Sequence, residues 1–492
     1  MATFKYYAAG RVRRFHAASL TGVAPRVTRG GVAHAGGQAS QQALAAGLVA
    51  NAIRGLGGWH GTLFHDLSGA DMHAQSDQGS GDVTLPTQAV VVDGARASEL
   101  RWLRDKHGFE ILREGRQGKV LLRGPQGGAA GVAAAFDVGE RLVRRGRVAA
   151  AHPNFIRALL HTRALPLPIP HADAGGMWNL HNDGRQGLYG ADVHALAAWT
   201  ITRGSPDVRV AVLDEGVDTD HPSLEPAVVA ELDVVSGNPR ALPDGDDAHG
   251  TACAGVVLSR DSSVSGLAPL ASLVAVRIAR GDGGGHWILD DFDTADAIDW
   301  CWEEGRADVI SSSWGGGPPT DVITRAFERA RTKGRGGLGC VLAAAVGNDQ
   351  GPVSFPACLP LVLGVGASNP WDEMKTRTSR DGESWWGTNR GPGIDLLAPG
   401  VRITTTDLHG PRGYGRADFV ADFNGTSAAA PHVAAAAALI LAVAPRLTAS
   451  RIRDIMVRTC DPLPGSGGHG SRRAGARRLN AYAALRAALR GA

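Results

Sequence analysis

The apolar positions of this 492-residue chain change texture twice, near residue 85 and again near residue 166. Residues 1–84 are rich in Gly, Ala, Ser and His and show little periodicity, which predicts a largely irregular segment with one helix near 40–55. From residue 87 the pattern sharpens. The run Ala89-Val-Val-Val92 stops at Asp93-Gly94, and residues 97–106 carry helical spacing that ends at Gly108. Strands are predicted over 109–112 and 120–122, a helix over 131–145 and a last strand over 148–151. The order βαββαβ is that of a ferredoxin-like α+β unit, assigned with its linker to residues 85–165.

Beyond the Pro-rich stretch Leu165-Pro-Leu-Pro-Ile-Pro170, short runs that are apolar almost throughout alternate with helical stretches. The runs cover 208–213, 273–278, 309–312, 341–346 and 361–365. Strands without alternation are buried on both faces, so residues 166–490 are predicted to form an α/β domain, a parallel sheet with helices on both sides. Functional groups in such sheets gather at the carboxyl ends of the strands.

Composition narrows the picture only a little. Hydrophobic residues make up 43% and charged residues 20%, as in ordinary globular chains. The longest apolar run, residues 433–444, is shorter than the roughly 20 residues that span a bilayer, so no membrane span is predicted. The net charge of +3 conceals a division: residues 1–165 carry 21 Lys+Arg against 11 Asp+Glu (+10), residues 166–492 carry 30 against 37 (−7). The basic excess is spread through mixed-sign segments without interleaved aromatics, which argues against nucleic acid as a partner. Five scattered cysteines make no disulfide scaffold and no C-x-x-C pair. The early positive residues are not followed by the apolar core of a secretory signal, so the sequence suggests a cytoplasmic protein or one exported by a non-standard route.

Three runs carry candidate chemistry. Val210-Ala-Val-Leu-Asp-Glu-Gly-Val-Asp218 ends a buried strand in Asp214; His249-Gly-Thr-Ala-Cys-Ala-Gly255 sets a histidine at a small-residue helix start; Asn424-Gly-Thr-Ser-Ala-Ala-Ala-Pro-His-Val433 sets Ser427 at the mouth of an alanine-rich helix. Each alone has a bland explanation as a turn cap, a structural histidine or an N-cap. Together they supply a nucleophile, a base and an orienting carboxylate, in the order Asp, His, Ser. With Trp178-Asn-Leu-His-Asn182, Gly190-Ala-Asp-Val193, Ser312-Ser-Trp-Gly315, Ala343-Ala-Ala-Val-Gly-Asn348, Phe355-Pro-Ala357 and Arg478-Leu-Asn-Ala481, residues 175–485 resemble the subtilisin-like (S8) serine peptidases. Glu215, where Ser or Thr is usual, and Val346, within the usual Ala-Ala-Gly-Asn run, depart from that pattern.

The resemblance implies a serine endopeptidase with Asp214, His249 and Ser427 as its triad and Asn348 as oxyanion donor. It implies an extended polypeptide substrate between Gly283-Gly284-Gly285 and Ser313-Trp314-Gly315, and a first pocket walled by 313–315 and 345–348 with Ser354 near its base. The triad does not separate peptidase from esterase or transpeptidase chemistry, since the acyl-enzyme is common to all. No cofactor is required. Structural calcium is allowed by the family, although Asp244-Gly-Asp-Asp247 and Asp290-Asp-Phe-Asp293 read first as solvated acidic faces. By the same resemblance residues 87–155 act as an intramolecular inhibitor and chaperone, cut from the rest between 156 and 171.

Overall fold

The computed structural model describes residues 2–8, 11–19, 73–76, 83–160, 177–282, 285–463 and 477–491. They fall into two compact units: Met1–His161 with Gly281–Asp296 and Gly317–Arg325, and Thr162–Arg280 with Ala297–Gly316 and Ala326–Ala492.

The first unit contains the βαββαβ order expected: Val83–Asp93, helix Ala97–His107, Glu110–Glu114, Val120–Arg123, helix Gly128–Arg144 and Ala150–Leu160. The first helix stops where Gly108 turns left-handed (φ 66°) and returns its N–H to the Arg104 carbonyl. The four strands pair antiparallel, with Val83–Asp93 between Val120–Arg123 and Ala150–Leu160 and Glu110–Glu114 outermost, which is the ferredoxin-like arrangement. Val90, Val92, Leu103, Phe109, Leu122 and Leu142 are among its core residues.

Two features of this unit differ from the sequence expectation. Within residues 1–84, read from the sequence as largely irregular, Ala2–Ala8, Arg11–Ser19 and His73–Ser76 are strands that extend the sheet beyond Val83–Asp93. Ladder hydrogen bonds come from main chain and need no side-chain alternation, and Ala8 stands opposite Arg11 at the two-residue spacing of a hairpin. The helix anticipated near 40–55 lies outside the described residues. The last strand, read as 148–151, runs from Ala150 to Leu160 because it is paired on both edges, with Val83–Asp93 and with His286–Asp290. Pro86 and Pro153 sit where the ladder with Val83–Asp93 shifts register, a place at which a missing N–H does least harm.

That long strand and its neighbours bring cations onto a buried acidic stretch. Arg157 grips Asp291 through Nε and Nη2, the latter at 3.1 Å, with both side chains buried. Arg113 donates to Asp293, Arg116 donates its backbone N–H to Asp296 at 2.6 Å, and Asn154 Nδ2 meets Asp290 at 2.6 Å. Burial and the adjacent Asp290 push the Asp293 carboxyl up to about 8 against the pull of Arg113.

The second unit is built on a nine-stranded sheet in the order Asp461–Pro462, Arg477–Arg478, Leu396–Pro399, Leu363–Ser368, Val341–Ala345, Val309–Ser312, Arg209–Asp214, Ser272–Arg277 and Val228–Asp233. Every neighbouring pair is parallel except the first. Helix Thr426–Val443 packs on five of these strands and on helix His249–Leu258, and residues 428–441 are all buried. It is the one described helix long and apolar enough to cross a membrane, and 89% of that window is buried within the protein. The run of alanines between Val433 and Leu439 keeps this stretch of the helix slim among the strands and helices it touches. Ala435→Leu is therefore expected to destabilise the unit by about 1–3 kcal/mol through overpacking. A urea midpoint unchanged from wild type would contradict that close packing.

Candidate active site

Asp214 closes strand Arg209–Asp214 in the interior of the sheet, and His249 opens helix His249–Leu258. The two meet: His249 Nδ1 lies 2.9 Å from Asp214 Oδ1 and 3.1 Å from Oδ2, with both residues buried. The small residues after His249 allow the helix to sit this deep. A Cβ on Gly250 would fall 2.0 Å from the Gly216 carbonyl oxygen, and one on Gly255 would fall 2.2 Å from Thr406 Oγ1. Thr405 and Thr406 donate their hydroxyls to the Ala252 and Thr251 carbonyls at 2.7 Å, tying the helix to the hairpin of Ile403–Thr406 and Phe419–Phe423. From that hairpin Phe423 sets its ring edge-on to the His249 imidazole, 5.4 Å between centroids.

Ser427 is the only residue of 426–441 in its helix that is not buried. It faces the end of strand Val309–Ser312 through a reciprocal pair of contacts. Ser427 Oγ donates to the Ser313 carbonyl at 3.1 Å, and Ser313 Oγ donates to the Ser427 carbonyl at 2.9 Å. On the other side, Asn348 Oδ1 accepts from Thr426 N at 2.9 Å and from Thr426 Oγ1 at 3.0 Å. With Oδ1 held there, the amide's donor end is fixed beside Gly425. A Cβ on Gly425 would lie 3.3 Å from Asn348 Nδ2 and 3.5 Å from Ser427 N, so two nitrogen donors converge on one small space. Gly425 also has φ +116°, a conformation that L side chains rarely adopt.

The remaining predicted residues divide. Gly283 and Gly284 lie outside the described residues, while Gly285 has φ +93° and precedes strand His286–Asp290. Trp314 turns its indole into the core beside Phe327, so what it can offer a ligand is main chain. A Cβ on Gly315 would fall 2.8 Å from the Phe355 carbonyl oxygen. Ser354 Oγ accepts from Asn389 Nδ2 at 3.2 Å, and Asn389 Oδ1 collects the N–H groups of Asp349 and Gly351. Sequence reasoning did not pick out Thr426, Gly425, Asn389 or Phe423. The Gly-Thr before Ser427 was the available signal for the first two; nothing local marks Asn389, whose partners lie 35–40 residues away.

The acidic stretches do not fit a calcium cage. Asp290, Asp291 and Asp293 are committed to Asn154, Arg157 and Arg113 of their own unit and are not the solvated face expected. Asp244 pairs with Arg277, which also reaches Asp233 at 3.3 Å. The Cys253 sulfur lies 3.7 Å from His249 Nδ1, and burial and Asp214 push its pKa well up, so it stays protonated.

A buried Asp–His contact at a strand end and a helix-mouth serine in the same unit are residue types that hydrolase chemistry uses. The chain belongs to the Subtilase family of S8 peptidases, whose sequence profile matches residues 205–479. The calcium-dependent protease of Trichormus variabilis is 31% identical over 369 residues, covering 68% of this chain and 52% of the relative. Thermitase of Thermoactinomyces vulgaris is 32% identical over 297 residues, covering 60% of this chain and 93% of thermitase. Among solved structures, a protease of Pseudoalteromonas arctica aligns with a TM-score of 0.52 at 26% identity, over 63% of this chain and 97% of its own. The chain thus spans about half the length of the first of these relatives.

Five residues beyond Ser427, His432 shows how firmly this helix is set. Its Nδ1–H donates to the Ala428 carbonyl at 2.8 Å and its Nε2 accepts from Asn179 Nδ2 at 2.9 Å. Burial lowers its pKa from 6.5 to about 4. The unfolded chain therefore takes up a proton there while the folded one does not, and stability falls as pH drops from 6.5 towards 4, by up to about 3 kcal/mol. His432→Gln should flatten that part of the stability curve, measured as urea unfolding between pH 7 and 4.5. An identical slope in both proteins would show that His432 is not the titrating group.

Proposed function

We propose that this chain is a serine endopeptidase that hydrolyses polypeptides through an acyl-enzyme on Ser427. The observation that carries the reading is the buried Asp214–His249 contact at 2.9 Å in the same unit as the open helix-mouth serine. In the proposed sequence His249 Nε2 takes the proton from Ser427 Oγ as it attacks the scissile carbonyl. Asp214, on Nδ1, holds the tautomer that leaves Nε2 basic and stabilises the imidazolium that forms. The developing oxyanion is received by Asn348 Nδ2 and the Ser427 backbone N–H, the two donors that converge beside Gly425. His249 then returns the proton to the leaving amine, and water repeats the cycle in reverse to release the acyl group. Substrate main chain is read by the backbone of Ser313-Trp314-Gly315, with the pocket between that segment and residues 345–348 taking one side chain. No cofactor enters these steps. A calcium requirement is carried in the name of the Trichormus relative and in no ligand set identified here.

The N-terminal residues are proposed to serve as an intramolecular inhibitor and chaperone that the peptidase removes. Support comes from the ferredoxin-like topology of residues 83–160, from the opposed charges of the two parts of the chain, and from the ion pairs that tie Arg113, Arg116 and Arg157 to the 291–296 segment, the last of them buried. The cleavage window is narrower than 156–171, because residues 156–160 are laddered to His286–Asp290, and 156–158 also to Val83–Asp93, and cannot enter a protease cleft without unpairing. Cutting is assigned to the Pro-rich sequence after Leu160.

Ser427→Ala should abolish hydrolysis of casein, by about 10⁶ in kcat if the residues act as a unit, and should block fluorophosphonate labelling. Normal turnover by the purified variant would sink the assignment. Gly425→Ala, which fills the space between the two donors, should cost at least about 100-fold in kcat. On incubation, wild-type protein should lose about the first third of its mass while Ser427→Ala stays full length. A wild-type chain that stays at 492 residues yet cleaves casein would refute self-processing.

A further inference from the structure

Helix His249–Leu258 begins on the histidine itself, so the orphan N–H groups of its first turn lie beside the imidazole. Ala248, at the N-cap, has no side chain to accept any of them. The acceptor comes from elsewhere: Glu215 Oε1 takes the His249 backbone N–H at 2.8 Å. Glu215 is buried (2% exposed), and its own N–H donates to Asp214 Oδ1 at 2.9 Å. Asp214 and Glu215, adjacent on one strand end, therefore hold His249 at two points, its Nδ1 and its main chain. Glu215 is also the residue at which this chain departs from the usual Ser or Thr of its family.

We propose that Glu215 is a positioning residue for His249, a carboxylate cap that locks the backbone of the base to the strand carrying Asp214 and adds a second negative charge beside the ring. This rests on the peptidase reading above for the role of His249. A carboxylate is the favoured acceptor at a helix N-terminus, where unpaired N–H groups and the aligned peptide dipoles leave positive potential. Fixing main chain and side chain to one rigid strand end removes the small tilts of the imidazole that would spoil its line to Ser427. The other titratable groups facing this corner are the Cys253 thiol from the same helix and the Tyr414 hydroxyl from the loop before Phe419–Phe423. Burial, with Asp214 and Glu215 nearby, pushes both well up, so both remain neutral at working pH and the field at the ring is dominated by Asp214 and Glu215.

The test compares Glu215→Gln, which keeps an acceptor oxygen and removes the charge, with Glu215→Ala, which removes both. Glu215→Ala should lower kcat about 10–100-fold with KM within about twofold, and Glu215→Gln should restore most of that loss. In Glu215→Gln the acidic limb of kcat/KM should move down by about half a unit or more, because the imidazolium has lost a stabilising charge. The same displacement should appear without turnover, as the ¹⁵N NMR titration of His249 in the Ser427→Ala background with and without Glu215→Gln. Unaltered kcat in a folded Glu215→Ala protein, or an unmoved His249 titration in Glu215→Gln, overturns the proposal. Should Glu215→Ala fail to fold, the Gln variant and the NMR titration decide alone. Failure of the peptidase reading is seen separately, as a wild-type protein that neither turns over casein nor takes the fluorophosphonate label.

Discussion

The enclosure of the alanine-rich helix Thr426–Val443, buried at every residue from 428 to 441, is the constraint on which the candidate site depends. The helix touches the strands that end in Asp214 and Ser312 and the strand that leads to Asn348. It also touches helix His249–Leu258, whose own glycines accept the Gly216 carbonyl and the Thr406 hydroxyl at contact distance. Residues drawn from four separate stretches of chain are thereby held to one small volume. A looser core would leave each of them on its element and no longer aimed at the others, since positional error of about 1 Å is costly for chemistry of this kind.

What could be read from the sequence follows from range. Asp214, His249, Ser427 and Asn348 stand in frames of small residues at element ends, and the signal lies within a few positions of each. The parallel sheet was legible for a similar reason, because strands buried on both faces announce themselves as unbroken apolar runs, as at 309–312. The purpose of Glu215 was hidden, since the N–H it accepts belongs to a residue 34 positions away. The same holds for Asp290, Asp291 and Asp293. An acidic cluster with no basic residue nearby in sequence reads as solvated surface, and the partners that bury it, from Arg113 to Arg157, lie more than 130 positions earlier. Strand Ala150–Leu160 was cut short for a related reason: its length is set by a second partner, His286–Asp290, more than 120 positions later in the chain.

Two kinds of polar burial occur in this molecule. Around the candidate site neutral hydrogen bonds fix orientation: Thr426 on Asn348, Asn389 on Ser354, Asn179 on His432. Their worth lies in precision more than in stability. Elsewhere both units bury ion pairs, Arg157 with Asp291 in the first and Arg277 with Asp233 and Lys375 with Asp381 in the second, where desolvation offsets most of the attraction.

The strand Ala150–Leu160 has a temporal consequence. A cut in the chain beyond Leu160 would sever one covalent link and leave an eleven-residue strand still laddered, on both edges over residues 156–158, with the Arg157 guanidinium buried against Asp291. Pulling the strand out would strand both charges in a dry interior before water could reach them, which raises the barrier far more than it alters the equilibrium. In a chain so cut, scission and departure would be separate events on separate clocks. The interval between them would be governed by how often the small α+β unit unfolds, a waiting time written into residues that touch no substrate.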